Sequence, residues 1–243
     1  MLPITGHDLL YFLMNNDYNL TEMQKNKRRK LLITDNHSKK DTIIPATIFL
    51  ILYSVWAMLV ASGTQFIHHF DQNIIAIICN NNPANIKFAT TFTVIGNTSV
   101  ITFITIIICL ILFIFKKYAY TYFTAGTMIA ANGYNWISKH AIARPRPSVH
   151  HLVEAHGYSF PSGHSVGSAT LFGILIVLTL LLVKNKAVKT ILCIVWLCFP
   201  LLIGYTRIFN HVHYPSDVLG GFLEGITFVL IGYSFLYHYH LEN

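Results

Sequence analysis

The chain has 243 residues, of which 53% are hydrophobic and 11% are charged, and its mean hydropathy is +0.51. A soluble domain carries about 25% charged residues, so this composition excludes an ordinary soluble protein and predicts an integral membrane protein. The formal net charge of +7 could indicate a nucleic-acid partner. The apolar composition argues against that class, and we expect no nucleic acid to be bound.

A polar arm is predicted at residues 1–42, ahead of a single membrane domain at 43–243. The arm holds the basic run KNKRRK (Lys25 to Lys30) and five interspersed acids. It lacks an apolar core followed by a cleavage site, so we predict no signal peptide and expect the first hydrophobic segment to direct membrane insertion. We interpret the arm as a partly ordered cytoplasmic tail.

Six apolar segments follow the arm, and roughly 20 apolar residues are enough for a helix to cross a bilayer. The third segment is the least apolar, and its Gly, Ala, Ser and Thr content suits close helix packing, as do Gly220, Gly221 and Gly225 in the sixth. We therefore predict an all-α bundle of six transmembrane helices. The segments lie near 43–62, 94–115, 118–138, 165–183, 188–206 and 217–237.

The basic residues predict the orientation of this bundle. Of the 17 Lys and Arg residues, 12 fall in the arm and in the loops after the second and fourth segments. Lys and Arg concentrate in cytoplasmic loops, so we predict a multi-pass protein of the cell (inner) membrane with both termini in the cytoplasm. The remaining basic residues then face the periplasm or the exterior: Lys87, Lys139, Arg144, Arg146 and Arg207.

The four cysteines predict neither a zinc site nor a disulfide framework. Cys109, Cys193 and Cys198 fall inside apolar runs, Cys79 stands alone in a polar loop, and no CxxC pattern exists.

Three short polar motifs interrupt the apolar part of the chain. They are KHAIARPRP from Lys139 to Pro147, PSGH from Pro161 to His164, and RIFNHVHYPSD from Arg207 to Asp217. Charged groups are costly in such surroundings and usually indicate function. Together the motifs supply cations for a multiply charged anion, histidines for proton transfer and nucleophilic attack, and an acid to orient a histidine.

The pattern K-x6-RP, PSGH and R-x5-H-x3-D, in that order, resembles the three signatures of the type 2 phosphatidic acid phosphatase superfamily. The resemblance covers roughly residues 43–237, and it departs at Thr206, where many members have Ser. That superfamily includes membrane lipid phosphatases and soluble vanadium haloperoxidases, and the six apolar segments exclude the soluble branch. We therefore expect the active site at the extracytoplasmic membrane surface.

The resemblance implies a role for each matched residue. His213 is expected to be the nucleophile that forms a phosphohistidine, Asp217 to orient it, and His164 to act as general acid and then general base. Arginine forks, a lysine and the amide groups of a helix N-terminus suit a phosphoryl group. The residues expected to bind that group are Lys139, Arg146, Ser162, Gly163 and Arg207. No metal and no other cofactor is expected.

The predicted reaction is hydrolysis of a lipid phosphomonoester or diphosphate at the membrane surface, with the lipid tail remaining in the bilayer. Phosphatidic acid, phosphatidylglycerophosphate, undecaprenyl diphosphate and lipid A phosphates all remain open as substrates, and the oligomeric state is left open. One alternative is a phosphotransferase that passes the same phosphate to a second lipid. Another is a non-catalytic lipid-binding or transport protein, against which intact His164, His213 and Asp217 speak.

Several further polar residues have roles that the sequence leaves open. Arg144 is equally compatible with supporting the site and with contacting lipid headgroups. We interpret His211 as a bystander and Glu224 as a buried, hydrogen-bonded residue. The headgroup is expected to contact the outer loop at 140–160 and residues 63–93. The outer-loop histidines fit a solvated or headgroup role better than a metal patch: His150, His151 and His156.

Overall fold

The computed structural model describes residues 42–80 and 82–242, so the predicted arm lies outside the described residues except for Thr42. Every regular element in this part of the chain is helical, which confirms the all-α class. A short 3-10 helix, Thr93–Gly96, lies between the third and fourth α-helices. The α-helices in the described ranges are α1 (Thr42–Ala61), α2 (Gln65–Ile78), α3 (Pro83–Phe92), α4 (Thr98–Ile114), α5 (Tyr118–Ile142), α6 (Gly163–Leu182), α7 (Lys186–Phe209) and α8 (Pro215–Glu242).

A helix occupies each of the six predicted segments. Four of them are long and apolar enough to cross a membrane, namely α1, α6, α7 and α8. A fifth span results if Pro83–Gly96 and α4, which meet at a 47° bend, are counted together. The 25-residue α5 is long enough but too rich in Tyr, Thr, Asn and Gly to qualify by hydropathy.

Two helices form where no element was predicted. Both α2 and α3 lie within residues 63–93 and are too short to cross a bilayer, with 14 and 10 residues. The chain turns from α1 into α2 at Gly63, whose φ of +58° is in the left-handed region that favours glycine. The α2 helix packs against α7 and α8, so it belongs to the same bundle as the motifs.

Helix α6 is the centre of the bundle. It packs against α4, α5, α7 and α8, and 61% of its most apolar stretch is buried, compared with 17% for α1 and for α7. Its apolar residues form one core cluster with residues of α4, α5 and α8, including Ile101, Phe123, Leu171 and Val229. The helix that begins with the second motif is therefore held on several sides.

Close contact between α6 and α8 depends on glycine. A Cβ atom on Gly221 would lie 2.7 Å from the Cβ of Ser165 and 2.8 Å from the carbonyl oxygen of Ser162. One turn further, a Cβ on Gly225 would lie 2.8 Å from that of Ala169. The expected packing role of these glycines is confirmed. It lets the N-terminal ends of α6 and α8, which carry the second and third motifs, lie side by side.

A second cluster fixes α1 and α2 beside the motif ends. Tyr53, Val60, Ile67 and Phe160 are buried together, which joins both helices to the loop that precedes α6. The indole Nε1 of Trp56 in α1 donates to the carbonyl oxygen of Ser216 at 2.9 Å. Helices outside the three motifs thus contact the start of α8.

We expect Gly221→Ala to lower the unfolding temperature of the purified protein in detergent. The added methyl group meets backbone rather than a flexible side chain, and overpacking of this kind costs about 1–3 kcal/mol. The matched control is Gly133→Ala in α5, where a Cβ meets nothing within 4 Å. Equal unfolding temperatures for the two variants would contradict the proposed close contact.

Candidate functional site

The structure brings all eight predicted site residues to one end of the bundle. Lys139 lies near the C-terminal end of α5, Arg207 near that of α7, and the second motif and Asp217 begin α6 and α8. The positive charges of Lys139, Arg146 and Arg207 lie close enough to act on His164. The end of the Lys139 side chain also lies close to Gly163, since a Cβ there would be 3.9 Å from Cε.

His213 is buried in the turn between α7 and α8, with 2% of its surface exposed. Its Nε2 lies 3.1 Å from Nη1 of Arg146. A guanidinium can only donate, so Nε2 carries the lone pair and Nδ1 carries the hydrogen. That Nδ1 faces Oδ2 of Asp217 at 3.6 Å and Oγ of Ser159 at 3.4 Å.

The pKa of His213 is lowered to about 3, chiefly by burial; the nearby Arg207 and Arg146 act in the same direction, and Asp217 acts in the opposite direction. The imidazole is therefore neutral at neutral pH, and its Nε2 lone pair is free of a proton. A histidine nucleophile requires that state.

Asp217 is fully buried, and each of its oxygens has a donor. Oδ2 accepts from the hydroxyl of Ser159 at 2.5 Å and from the backbone N–H of Tyr214 at 2.9 Å. Oδ1 accepts from Nη1 of Arg144 at 2.6 Å. These bonds fix the direction of the carboxylate, so one oxygen faces His213.

Arg144 lies in the site rather than among lipid headgroups. Its Nη2 donates to Oδ2 of Asp71 at 2.8 Å, its Nη1 donates to Asp217, and its guanidinium lies 4.1 Å from the centre of the Tyr214 ring. Asp71 was not identified from the sequence. One signal could have found it, because Asp71 is the sole acid between Asp41 and Glu154.

Backbone carbonyl groups occupy several of the cationic donors. Arg146 donates from Nε to the carbonyl oxygen of Gly157 at 3.0 Å and from Nη2 to that of His156 at 2.8 Å. Lys139 Nζ donates to the carbonyl oxygen of Tyr158 at 2.9 Å. A phosphoryl oxygen carries more negative charge than a carbonyl and can compete for the same donors.

Arg207 retains an open donor. The side chain is 3% exposed, and its Nη1 donates to Oγ1 of Thr93 at 2.8 Å. Its Nε has no hydrogen-bond partner among the described residues. A buried guanidinium with an unused N–H suits an anion.

The second motif forms the N-terminus of α6. Ser162 is the N-cap residue, and its Oγ accepts from the N–H and the hydroxyl of Ser165. Gly163 is the first helical residue, where unpaired N–H groups favour an anion. Its neighbour His164 places Nε2 at 2.9 Å from Oδ1 of Asn97, so this nitrogen carries a hydrogen.

Asn97 was also missed from the sequence. It precedes α4 as its N-cap residue. Asn is a common residue at N-caps, so nothing in its surroundings marked it as part of a site.

The other polar residues whose roles the sequence left open lie in different environments. His211 is half-buried and has a φ of +60°. Glu224 is fully buried, as expected; its carboxylate makes no hydrogen bond of standard geometry within the described part of the chain, but Tyr53 and Asn135 are close enough to interact with it. Across residues 42–80 and 82–242, no three His, Cys, Asp or Glu side chains form a group that could hold a metal ion, and this includes the outer-loop histidines.

The model of the PAP2 superfamily matches residues 118–240, about half of the chain. The chain belongs to the PAP2 superfamily. This match begins at α5 and includes all three motifs, whereas Asp71, Thr93 and Asn97 precede it. The site therefore combines residues from the half of the chain that the family model covers with residues from helices that precede it.

Named relatives and a solved structure agree with this membership. Phosphatidylglycerophosphatase B of Bacillus subtilis (strain 168) is 35% identical over 96 residues, which cover 38% of this chain and 46% of the relative. Lipid A 1-phosphatase of Rhizobium johnstonii is 33% identical over 120 residues, covering 46% of this chain and 45% of the relative. The matched stretches thus span just under half the length of both relatives.

The solved structure covers more of the chain. The crystal structure of a transmembrane PAP2-type phosphatidylglycerolphosphate phosphatase from Bacillus subtilis has a TM-score of 0.70 and 25% identity to this chain. The match covers 78% of this chain and 94% of the solved one. Together with its several apolar helices, this likeness makes the chain a multi-pass membrane protein.

Proposed function

We propose that this protein is a membrane phosphatase that hydrolyses a lipid phosphomonoester or diphosphate through a phosphohistidine on His213. The observation that carries the proposal is the 3.1 Å contact between Nε2 of His213 and Arg146. The unprotonated lone pair of Nε2 and the Arg146 guanidinium lie side by side, which supports a nucleophile next to a phosphate-binding cation. Membership of the PAP2 superfamily, with relatives named for phosphatase activity on lipids, supports the same conclusion.

Binding of the phosphate precedes the reaction. Its oxygens replace the loop carbonyl groups on Arg146 and Lys139 and take the open Nε–H of Arg207. The N–H groups at the start of α6 face the same anion. Since the transition state of phosphoryl transfer spreads charge over the equatorial oxygens, these donors stabilise it directly.

The first chemical step forms the phosphohistidine. The Nε2 lone pair of His213 forms the N–P bond while the P–O bond to the lipid breaks. His164, which is protonated once the bound phosphate offsets the surrounding cations, gives its proton to the leaving oxygen, and that oxygen takes the place of Asn97 beside Nε2. Positive charge develops on the His213 ring, and Asp217 stabilises it through the Nδ1 hydrogen.

The second step releases phosphate. The now neutral His164 takes a proton from water, whose oxygen forms a new P–O bond as the N–P bond breaks. Inorganic phosphate leaves, and both histidines return to their starting states. Three cationic side chains neutralise the phosphate charge, so we propose that no metal ion is required in this cycle.

We further propose that the bundle has six spans with both termini in the cytoplasm, and that α5 is one of these spans. The loops at Lys116–Lys117 and Lys184–Lys189 lie at the ends of α5, α6 and α7 opposite the motifs. Basic loops favour the cytoplasmic side, so the site faces the periplasm or the exterior. The substrate is then a lipid presented in the outer leaflet.

We expect His213→Asn to abolish phosphate release, while the matched change His211→Asn retains most of it. Only His213 offers a lone pair beside Arg146, and Asn is compatible with the left-handed backbone at His211. Phosphate release by the purified variants in detergent measures the difference. An inactive His211→Asn beside an active His213→Asn would show that the nucleophile is misassigned.

We expect purified protein in detergent to release orthophosphate from at least one of four lipids, in the presence of EDTA. The panel contains phosphatidic acid, phosphatidylglycerophosphate, undecaprenyl diphosphate and lipid A. Vanadate should inhibit the reaction because it mimics pentacoordinate phosphorus. A strict requirement for Mg²⁺ or Zn²⁺ would refute the metal-free cycle, and transfer of phosphate only to a second lipid would indicate a phosphotransferase.

We expect a cysteine at His150 to react with an impermeant thiol reagent in intact cells, and a cysteine at Lys186 to remain unlabelled. His150 lies in the loop beside the site, whereas Lys186 begins α7 at the opposite end. Both variants should be labelled after membrane permeabilisation, which controls for reactivity. The reverse pattern in intact cells would place the reaction in the cytoplasm.

A further inference from the structure

Asp71 is a buried acid that the phosphatase cycle does not use. It lies on α2, is 3% exposed, and accepts hydrogen bonds at both oxygens. Oδ1 accepts from the backbone N–H of Ser216 at 2.8 Å. Oδ2 accepts from the hydroxyl of Ser216 and from Nη2 of Arg144, each at 2.8 Å.

These contacts hold the first turn of α8. Ser216 follows Pro215, the first residue of α8, so its N–H has no partner within the helix. A carboxylate that accepts from this N–H satisfies it and interacts favourably with the positive end of the helix dipole. The next residue is Asp217, so Asp71 fixes the backbone from which the orienting acid extends.

Asp71 also contributes to the net charge of the ionised groups beside His213. Arg144 lies between two carboxylates, with Nη2 on Asp71 and Nη1 on Asp217. An isolated pair of Arg144 and Asp217 would be neutral, whereas the three groups together carry one negative charge. A net negative charge beside Nδ1 of His213 stabilises the positive ring that forms with the N–P bond.

We propose that Asp71 is a positioning residue for phosphoryl transfer, acting through Arg144 and the start of α8 on Asp217; this rests on the phosphatase function proposed above. Asp71 precedes the part of the chain that the family model covers. The α1–α2 pair thereby supports Asp217 and also packs against the bundle.

The first test is the isosteric change Asp71→Asn, which removes the charge and keeps the shape. We expect kcat for the panel lipid that wild type hydrolyses to fall about 10–100-fold, the loss that follows removal of a residue orienting a metal-bound histidine, taken here as a guide for an orienting partner. KM and the inhibition constant for orthophosphate should stay within about twofold, because Lys139, Arg146 and Arg207 are untouched. The control is Asn73→Ala, an exposed α2 position that should retain wild-type kcat.

A double-mutant cycle separates charge from general stability. Arg144→Gln alone leaves Asp71 and Asp217 as two buried carboxylates without the positive charge that now lies between them. Adding Asp71→Asn restores a single negative charge, so the double variant should have a higher kcat and unfolding temperature than Arg144→Gln. If Asp71→Asn alone does not fold, the test is the comparison of kcat between the double variant and Arg144→Gln.

The outcomes are distinguishable. A lower kcat at unchanged phosphate inhibition, with rescue in the double variant, supports the positioning role. A kcat for Asp71→Asn within twofold of wild type, or losses that simply multiply in the double variant, would overturn it. Wild-type protein that releases no phosphate from any panel lipid would instead refute the proposed function itself.

Discussion

The buried carboxylate of Asp217 is the constraint on which the arrangement of the site depends. An unpaired charge in such a position would be very costly, so donors must reach it from several directions. Arg144 and Ser159 come from the loop between α5 and α6, and the N–H of Tyr214 comes from the turn before α8. The loop that covers this end of the bundle therefore supplies groups that neutralise the acid.

The backbone of Asp217 also joins α6 to α8. The N–H of Ser162 donates to the backbone oxygen of Asp217 at 3.1 Å, which links the second motif directly to the third. Only a helix surface without side chains permits this approach, and Gly221 supplies it. In a bilayer, where lipid tails are as apolar as leucine, close backbone packing is a main source of helix association.

Hydrogen bonds within the protein pair most of the cationic donors of the site. Neutral carbonyl groups of the outer loop satisfy Arg146 and Lys139, and they can yield to a more strongly accepting phosphate oxygen. Meanwhile Arg146 directs one Nη1 hydrogen at the lone pair of His213 and another at the carbonyl oxygen of Val212. When a phosphate oxygen takes the Arg146 donors, the lone pair of His213 loses its hydrogen bond to Arg146 and becomes available for attack. The proposed cycle uses this exchange.

Hydropathy and residue spacing determined the helical class, the positions of six helices and the eight motif residues. They could do so because these signals are local: a run of apolar residues or a fixed spacing is complete within a short segment. The glycine contacts of α8 were predictable for the same reason. Hydropathy also left α5 ambiguous, because the face that packs against α4, α6 and α8 contains buried polar residues such as Thr124, Thr127 and Asn135.

Only the tertiary structure decided which distant residues complete the site. Asp71 reaches Arg144 across 73 positions, Asn97 reaches His164 across 67, and Thr93 reaches Arg207 across 114. No periodicity connects such pairs, because their contact depends on how α2, the 3-10 helix and α4 pack against the motif ends. The sequence by itself determined the motif residues proposed to react, whereas packing determined the side chains that hold them, because such contacts exist only after the helices have met.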